Sequence, residues 1–261
     1  MKMTAEARAD LIRRIRQLEI KGTCPAAAAM QLRCPPIDSV LPDGGLRCGA
    51  VHELLGPNHA SDRRGDGALM GFAAVILARL MQEEGDGRPA VWCVNRRLQF
   101  RNDQFLGQPY APGLQSFGIP VQRLLFVYTD NDRDTLWATE ESVRSEAVGI
   151  VVTELDCLHP VAARRLQLAC QEAGVTVLAL RPGRESSQAA FTETRWQLQT
   201  LPGSEPTSAG HSNPSWQVRL LRARREPGAY TWAVRWHRGQ ILASVLHQDR
   251  LATPQVRARA V

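Results

Sequence analysis

Residues 51–72, VHELLGPNHASDRRGDGALMGF, decide the fold. A short apolar run at 51–55 is closed by Gly56-Pro57, crosses a polar loop, and enters a strongly apolar helical segment at 68–82. An apolar strand, a loop and a helix with little polar face describe a buried strand beneath a packed helix. A phosphate-binding protein carries G-x-x-x-x-G-K-[ST] at this place, where backbone N–H groups, a lysine and a hydroxyl hold a triphosphate and its Mg²⁺. Here Gly65-Asp66-Gly67 leads into Ala68 and Leu69, and no lysine lies nearer in sequence than Lys21. A carboxylate at a helix start occupies the position an anionic phosphate would take, so Asp66 is expected to cap the helix instead. Only Arg63 and Arg64 offer positive charge in the loop. Gly56, Gly65, Asp66 and Gly67 are therefore read as the remnant of a degenerate phosphate loop. No cofactor and no ATPase activity are expected.

Working outward, short apolar runs at 90–94, 124–128, 149–153 and 175–180 alternate with helical segments at 132–145 and 160–173. Nearly continuous apolar strands separated by helices imply an α/β fold, a mostly parallel sheet with helices on both faces. Glu154 and Asp156 follow the strand at 149–153, where a nucleotidase holds Mg²⁺. With no lysine or hydroxyl opposite, they are read as an acidic remnant or as helix caps, and no metal site is expected. Residues 202–215 are polar and rich in turn formers. Beyond them, 215–224 and 230–237 flank Glu226-Pro227-Gly228 as an antiparallel hairpin with a longer loop. Gly239-Gln240 then turns into a last strand at 241–245.

The ends differ from the middle. Residues 4–20 make an amphipathic N-terminal helical arm, with Leu11, Ile12, Ile15 and Leu18 on one side and Arg8, Arg13, Arg14 and Arg16 elsewhere. Pro35-Pro36 forbids its continuation. The organisation is thus an arm and linker at 1–36, a core with its hairpin at 37–245, and a basic tail at 246–261. Leu11, Ile15 and Leu18 of the arm and Arg250, Arg257 and Arg259 of the tail are candidate partner-binding residues.

At 261 residues and 44% hydrophobic content the chain can bury a sizeable core. It has no apolar run of the roughly 18 residues that span a bilayer, and no secretory signal, so it is expected in the cytoplasm. The six cysteines are scattered without a C-x-x-C pair, which argues against zinc and disulfide frameworks. Cys93 and Cys170 are expected as small core residues. The net charge of +6 comes almost wholly from arginine, and nucleic acid is the obvious acidic partner. Arg222, Arg224, Arg225 and Arg235 of the hairpin are candidate nucleic-acid contacts, with Tyr230, Trp232 and Trp236 as stacking partners. The alternation puts those aromatics on one strand face, where core packing is the cheaper explanation. No H-E-x-x-H or G-x-S-x-G motif occurs, so an enzyme is not expected.

Several stretches resemble a known family in order and spacing. IDSVLPDGGLRCGAVHELLGP at 37–57 looks like a RecA-type opening turn and first core strand. LQSFGIPVQRLLFVYTDNDRDTLWATEESVRS at 114–145 and VGIVVTELD at 148–156 are similar to later strands of that core. Together with GDGALMGFAA at 65–74, TRWQL at 194–198 and SWQVRLLRARREPGAYTWAVRW at 215–236, they resemble the ImuA family. Its members are RecA-like accessory proteins of the damage-inducible translesion mutasome. The resemblance covers roughly 37–240, and no single motif in it is decisive. It implies a RecA-like core and a non-catalytic adaptor role in error-prone bypass of damaged DNA during the SOS response. It further implies a polymerase-like partner, ImuB, an error-prone C-family DNA polymerase, and RecA itself as a further candidate. DNA would be met directly or through these partners. The alternatives it leaves open are a single-stranded DNA-binding RecA-like module and a cell-division inhibitor like SulA.

Overall fold

The computed structural model describes residues 28–57, 67–83, 87–99, 107–182, 191–201, 214–224, 226–237 and 239–248. Strands β1 (Ala29–Met30) and β2 (Leu46–Arg47) bracket a short helix α1 (Pro35–Asp38). The alternating body follows as β3 (Val51–Leu55), α2 (Gly67–Glu83), β4 (Ala90–Asn95), α3 (Arg96–Gln99) and α4 (Ala111–Ser116). It continues through β5 (Leu124–Thr129), α5 (Asp132–Arg144), β6 (Ile150–Glu154), α6 (Pro160–Ala173) and β7 (Thr176–Arg181). The chain ends in β8 (Thr194–Thr200), β9 (Ser215–Ala223), β10 (Glu226–His237) and β11 (Gln240–Gln248).

Nine strands form one sheet in the order β11-β10-β9-β8-β3-β7-β6-β4-β5. From β8 to β5 all neighbours are parallel, and from β8 to β11 all are antiparallel. Successive side chains of a strand point to opposite faces. Leu54, Trp92, Val152, Leu178 and Leu180 therefore meet α2, whose residues from Ala68 to Met81 are mostly buried. Val51, Cys93, Val151 and Val177 meet Val143 of α5 and Leu166 and Cys170 of α6 on the other face. Cys93 and Cys170 are core residues as expected, and burial pushes the Cys93 thiol up to about 11. The C-terminal strands join the same layer as α2. Phe72 lies 6.0 Å from the ring of Trp196 and 6.3 Å from that of Trp216. No helix among the described residues is long and apolar enough to cross a membrane.

Three expectations are corrected. Residues 28–36 are not a linker: β1 pairs with β2, and Met30, Leu32 and Cys34 are buried in the main core. The Asp38 carboxylate fixes this segment by accepting 2.8 Å bonds from the backbone N–H groups of Leu32 and Cys34. Gly45 is needed opposite it, since a Cβ there would sit 2.5 Å from the Met30 carbonyl oxygen. Pro35-Pro36 starts the α1 turn, where a missing N–H costs nothing.

The hairpin is tighter than its Glu226-Pro227-Gly228 segment suggested, because Glu226 already pairs with Ala223. Arg224, with φ of 53°, takes the left-handed turn position. The surplus residues are absorbed in a register shift between Pro227 and Tyr230, a place in a strand where proline is tolerated. Finally, β11 runs on to Gln248, so 246–248 belong to the sheet and not to a tail. Pairing of Thr231 with His247 and Tyr230 with Gln248 supplies backbone partners that the side-chain pattern does not reveal.

Candidate functional site

In an open parallel sheet, ligands bind beyond the carboxyl ends of the strands. Those ends are tied together here by their own side chains. Glu154 closes β6 and is fully buried. Its Oε1 accepts from Trp92 Nε1 at 2.9 Å and its Oε2 from the Asn95 backbone N–H at 3.1 Å. Burial raises its pKa to about 7, against the opposing pull of these two hydrogen bonds. Asn95 Nδ2 donates to Asp132 Oδ1 at 2.8 Å. The same Asp132 carboxylate accepts from the backbone N–H groups of Asp156 at 3.1 Å and Cys157 at 2.9 Å. The loop after β6 is thereby stitched to the first turn of α5.

The helix-cap reading of Glu154 and Asp156 is corrected by this arrangement. Asn131 caps α5 by accepting from the Asp134 N–H at 3.0 Å, and His159 stands at the N-cap of α6. Glu154 lies under the α2 layer, where the nearest donors are an indole and a strand-end amide. Gly56, at the start of the expected phosphate loop, donates its N–H to the Arg181 carbonyl at 2.8 Å. Helix α2 opens with Gly67, Ala68 and Leu69, the last two buried, and offers neither ammonium nor hydroxyl. Gly65 and Asp66 lie outside the described residues, as do Arg63 and Arg64.

One cluster had no place in the sequence reading. Glu53 is fully buried in β3, ion-paired with the buried Arg181 of β7, and its Oε2 lies 3.1 Å from Arg195 Nε of β8. Arg181 also reaches the Asp156 carbonyl at 3.4 Å, so the cluster joins the strand-edge network. On the opposite face of β3 His52 is equally buried, and desolvation holds its pKa below the usual imidazole value. Its partners are Thr194 Oγ1 at 2.7 Å from Nδ1 and the Arg47 carbonyl at 2.9 Å from Nε2. The carbonyl can only accept, so Nε2 carries the proton and Nδ1 accepts from the threonine hydroxyl. The available sequence signal was a charged residue inside an otherwise apolar strand, as in VHELL and TVLALR.

The four candidate nucleic-acid arginines do not converge. Arg222 is turned inward and donates to the Thr192 carbonyl at 3.0 Å and its hydroxyl at 2.8 Å. Burial, and then the neighbouring Arg195, lower its pKa. Arg224 is ion-paired with Glu193 at 2.9 Å and with Asp43. Arg235 is exposed, several residues away along β10, and Arg225 lies outside the described residues. Trp232 is fully buried, with its ring 6.3 Å from that of Trp196. Trp236 is half-buried, 5.5 Å from the ring of Phe117. The aromatics are core, as the alternation suggested, and Trp232 is closed to a base. Leu11, Ile15, Leu18, Arg250, Arg257 and Arg259 lie outside the described residues.

Fold and site together define an α/β protein built on one mixed sheet with helices packed on it. The Glu154 carboxylate at the end of β6 and the Asp132 carboxylate at the start of α5 are committed to internal hydrogen bonds. No protein-family model matches the chain. It is 31% identical over 192 residues to Protein ImuA from two strains of Caulobacter vibrioides, covering 69% of this chain and 72% of theirs. The chain belongs to the ImuA family.

Proposed function

We propose that the chain is a non-catalytic accessory protein of damage-inducible, error-prone translesion synthesis that works by binding other proteins of that system. The supporting observation is the closure of the strands' carboxyl ends by internal hydrogen bonds and an ion pair. Phosphoryl transfer needs carboxylates and cations free to meet a metal and a triphosphate. Here Glu154 is held by Trp92 and Asn95, Asp132 by three N–H groups, and Arg181 by Glu53. Membership of the ImuA family supports a role in mutagenesis, and the partners in this reading are a polymerase-like ImuB and an error-prone C-family polymerase. The SOS setting and a cytoplasmic location are part of the same reading.

The test is genetic. Deleting the gene should abolish the damage-induced rise in mutation frequency, and both the wild-type chain and the Glu154→Gln variant should restore it. No effect of deletion on mutation frequency would contradict the role. Failure of a folded Glu154→Gln chain to restore it would contradict the non-catalytic reading.

A further inference from the structure

Helix α6 carries apolar side chains that its own packing does not use. Ala163, Leu166 and Cys170 form its buried face. Val161 and Leu168, two turns apart on one side of the helix, are 80% and 54% exposed. Phe191, which leads into β8, is 50% exposed, and the Arg164 guanidinium lies 5.4 Å from its ring centre. With the end of α5 these residues line a groove of about 610 Å³. It follows α6 from Pro160 to Ala173, about 21 Å of helix.

The described chain begins at one end of this groove. The Ala28 carbonyl accepts from the Cys48 N–H at 2.9 Å. The pairing of Met30 with Leu46 and Ala29 with Arg47 advances toward Gly49 as the chain is followed back. A Cβ on Gly49 would lie 3.5 Å from the Gly174 Cα, at the C-terminal end of α6.

We propose that the groove along α6 is filled by residues 4–20 of the same chain, which lie outside the described residues, docked as a helix through Leu11, Ile15 and Leu18. These three recur at the helical spacing that also aligns Val161 with Leu168. A helix over 4–20 measures about 25 Å, which matches the length of α6. Residues 21–27 form a tether with a reach of roughly 23 Å, ample for the step from Ala28 to the near end of the groove. A tether this short holds the arm at an effective concentration on the order of millimolar, an advantage that a free partner of equal intrinsic affinity does not have. Tethered at the Gly174 end, the arm runs parallel to α6. That course brings Glu6 and Asp10 toward Arg164, and Arg14 and Arg16 toward Glu172. A polyanion gains nothing from Val161 and Leu168 and meets Glu146 and Glu172 on the rim. The inference is independent of the accessory role, since it gives the arm a partner within the chain whatever the chain binds elsewhere.

The experiment is photo-cross-linking of the full chain with benzoylphenylalanine in place of Leu11, read by denaturing gel and by mass-spectrometric mapping of the linkage. The expected product is of monomer size, linked to α6 or to Phe191. Replacing Val161 and Leu168 together by aspartate should lower the yield about tenfold and open the chain to trypsin at Arg13 and Arg14. The double alanine replacement, which keeps α6 helical, should lower the yield in the same direction, and Arg133→Ala, exposed on α5, should change nothing. A product of dimer size would give the groove to a second copy and overturn the proposal. A linkage elsewhere, or none, would leave the groove to another protein and overturn it equally. So would an unchanged yield in the folded alanine variant.

Discussion

Glu154 carries the clearest consequence at the scale of a single residue. Its folded pKa, about 7, lies above its ordinary value of 4.5 because burial penalises the carboxylate. A raised pKa means that the folded chain holds this proton more tightly than the unfolded one. The contribution is full below about pH 4.5 and is lost as pH rises through about 7. His52 acts in the opposite sense: its lowered pKa gives stability that is present above about pH 6.5 and lost on acidification. Comparing wild type with Glu154→Gln cancels the histidine. The variant should gain on the order of 3 kcal/mol on the wild type between pH 4.5 and pH 8, measured by urea unfolding at both. A parallel pH dependence of the two proteins would show that the carboxylate is not desolvated. The acidic strand end was legible in the sequence, since Glu154 follows an apolar run. Its committed state was not, because Trp92 and Asn95 come from another strand. The Glu53–Arg181 pair was illegible for the same reason, with partners 128 positions apart.

At the scale of elements, α2 is seated by a close approach. A Cβ on Gly71 would sit 2.5 Å from Trp216 Cζ2, so the helix meets β9 where no larger residue fits. Gly71→Ala is expected to cost about 1–3 kcal/mol through overpacking, despite alanine's better helix propensity. Thermal unfolding would measure it, and Trp216→Phe in the same chain should recover part of the loss. A neutral or stabilising Gly71→Ala would mean that the helix stands off the strand. Most parallel-sheet elements were readable because each carries its own period: apolar strands, an Asn131 cap on α5, and a left-handed Gly174 ending α6. The elements that escaped depend on partners. β1 has two residues and exists by pairing with β2, while the last residues of β11 are held by the length of β10. The turn at Arg224 escaped because Glu226-Pro227-Gly228 has the composition of a loop and is used as a bulge.

The whole molecule is organised by one sheet in which the antiparallel strands extend the parallel ones, and α2 spans the junction. Order and polarity of these two parts could be read from the sequence, because the helices stop where the alternating strands begin. The attachment of 28–36 could not, since its apolar residues are too few to show a period. A chain beginning at residue 37 would lose the buried Met30, Leu32 and Cys34. It should be less stable by roughly 5 kcal/mol, at about 1.5–3 kcal/mol per buried side chain, as read by its denaturant midpoint. An unchanged midpoint would restore the linker reading. The most direct measurement of the accessory role is affinity purification of the tagged chain from DNA-damaged cells, with and without nuclease, and mass-spectrometric identification of what it retains. The expected result is a polymerase-like partner retained in both samples. Recovery of replication and repair proteins in neither sample would contradict the role, and recovery only without nuclease would contradict direct protein binding.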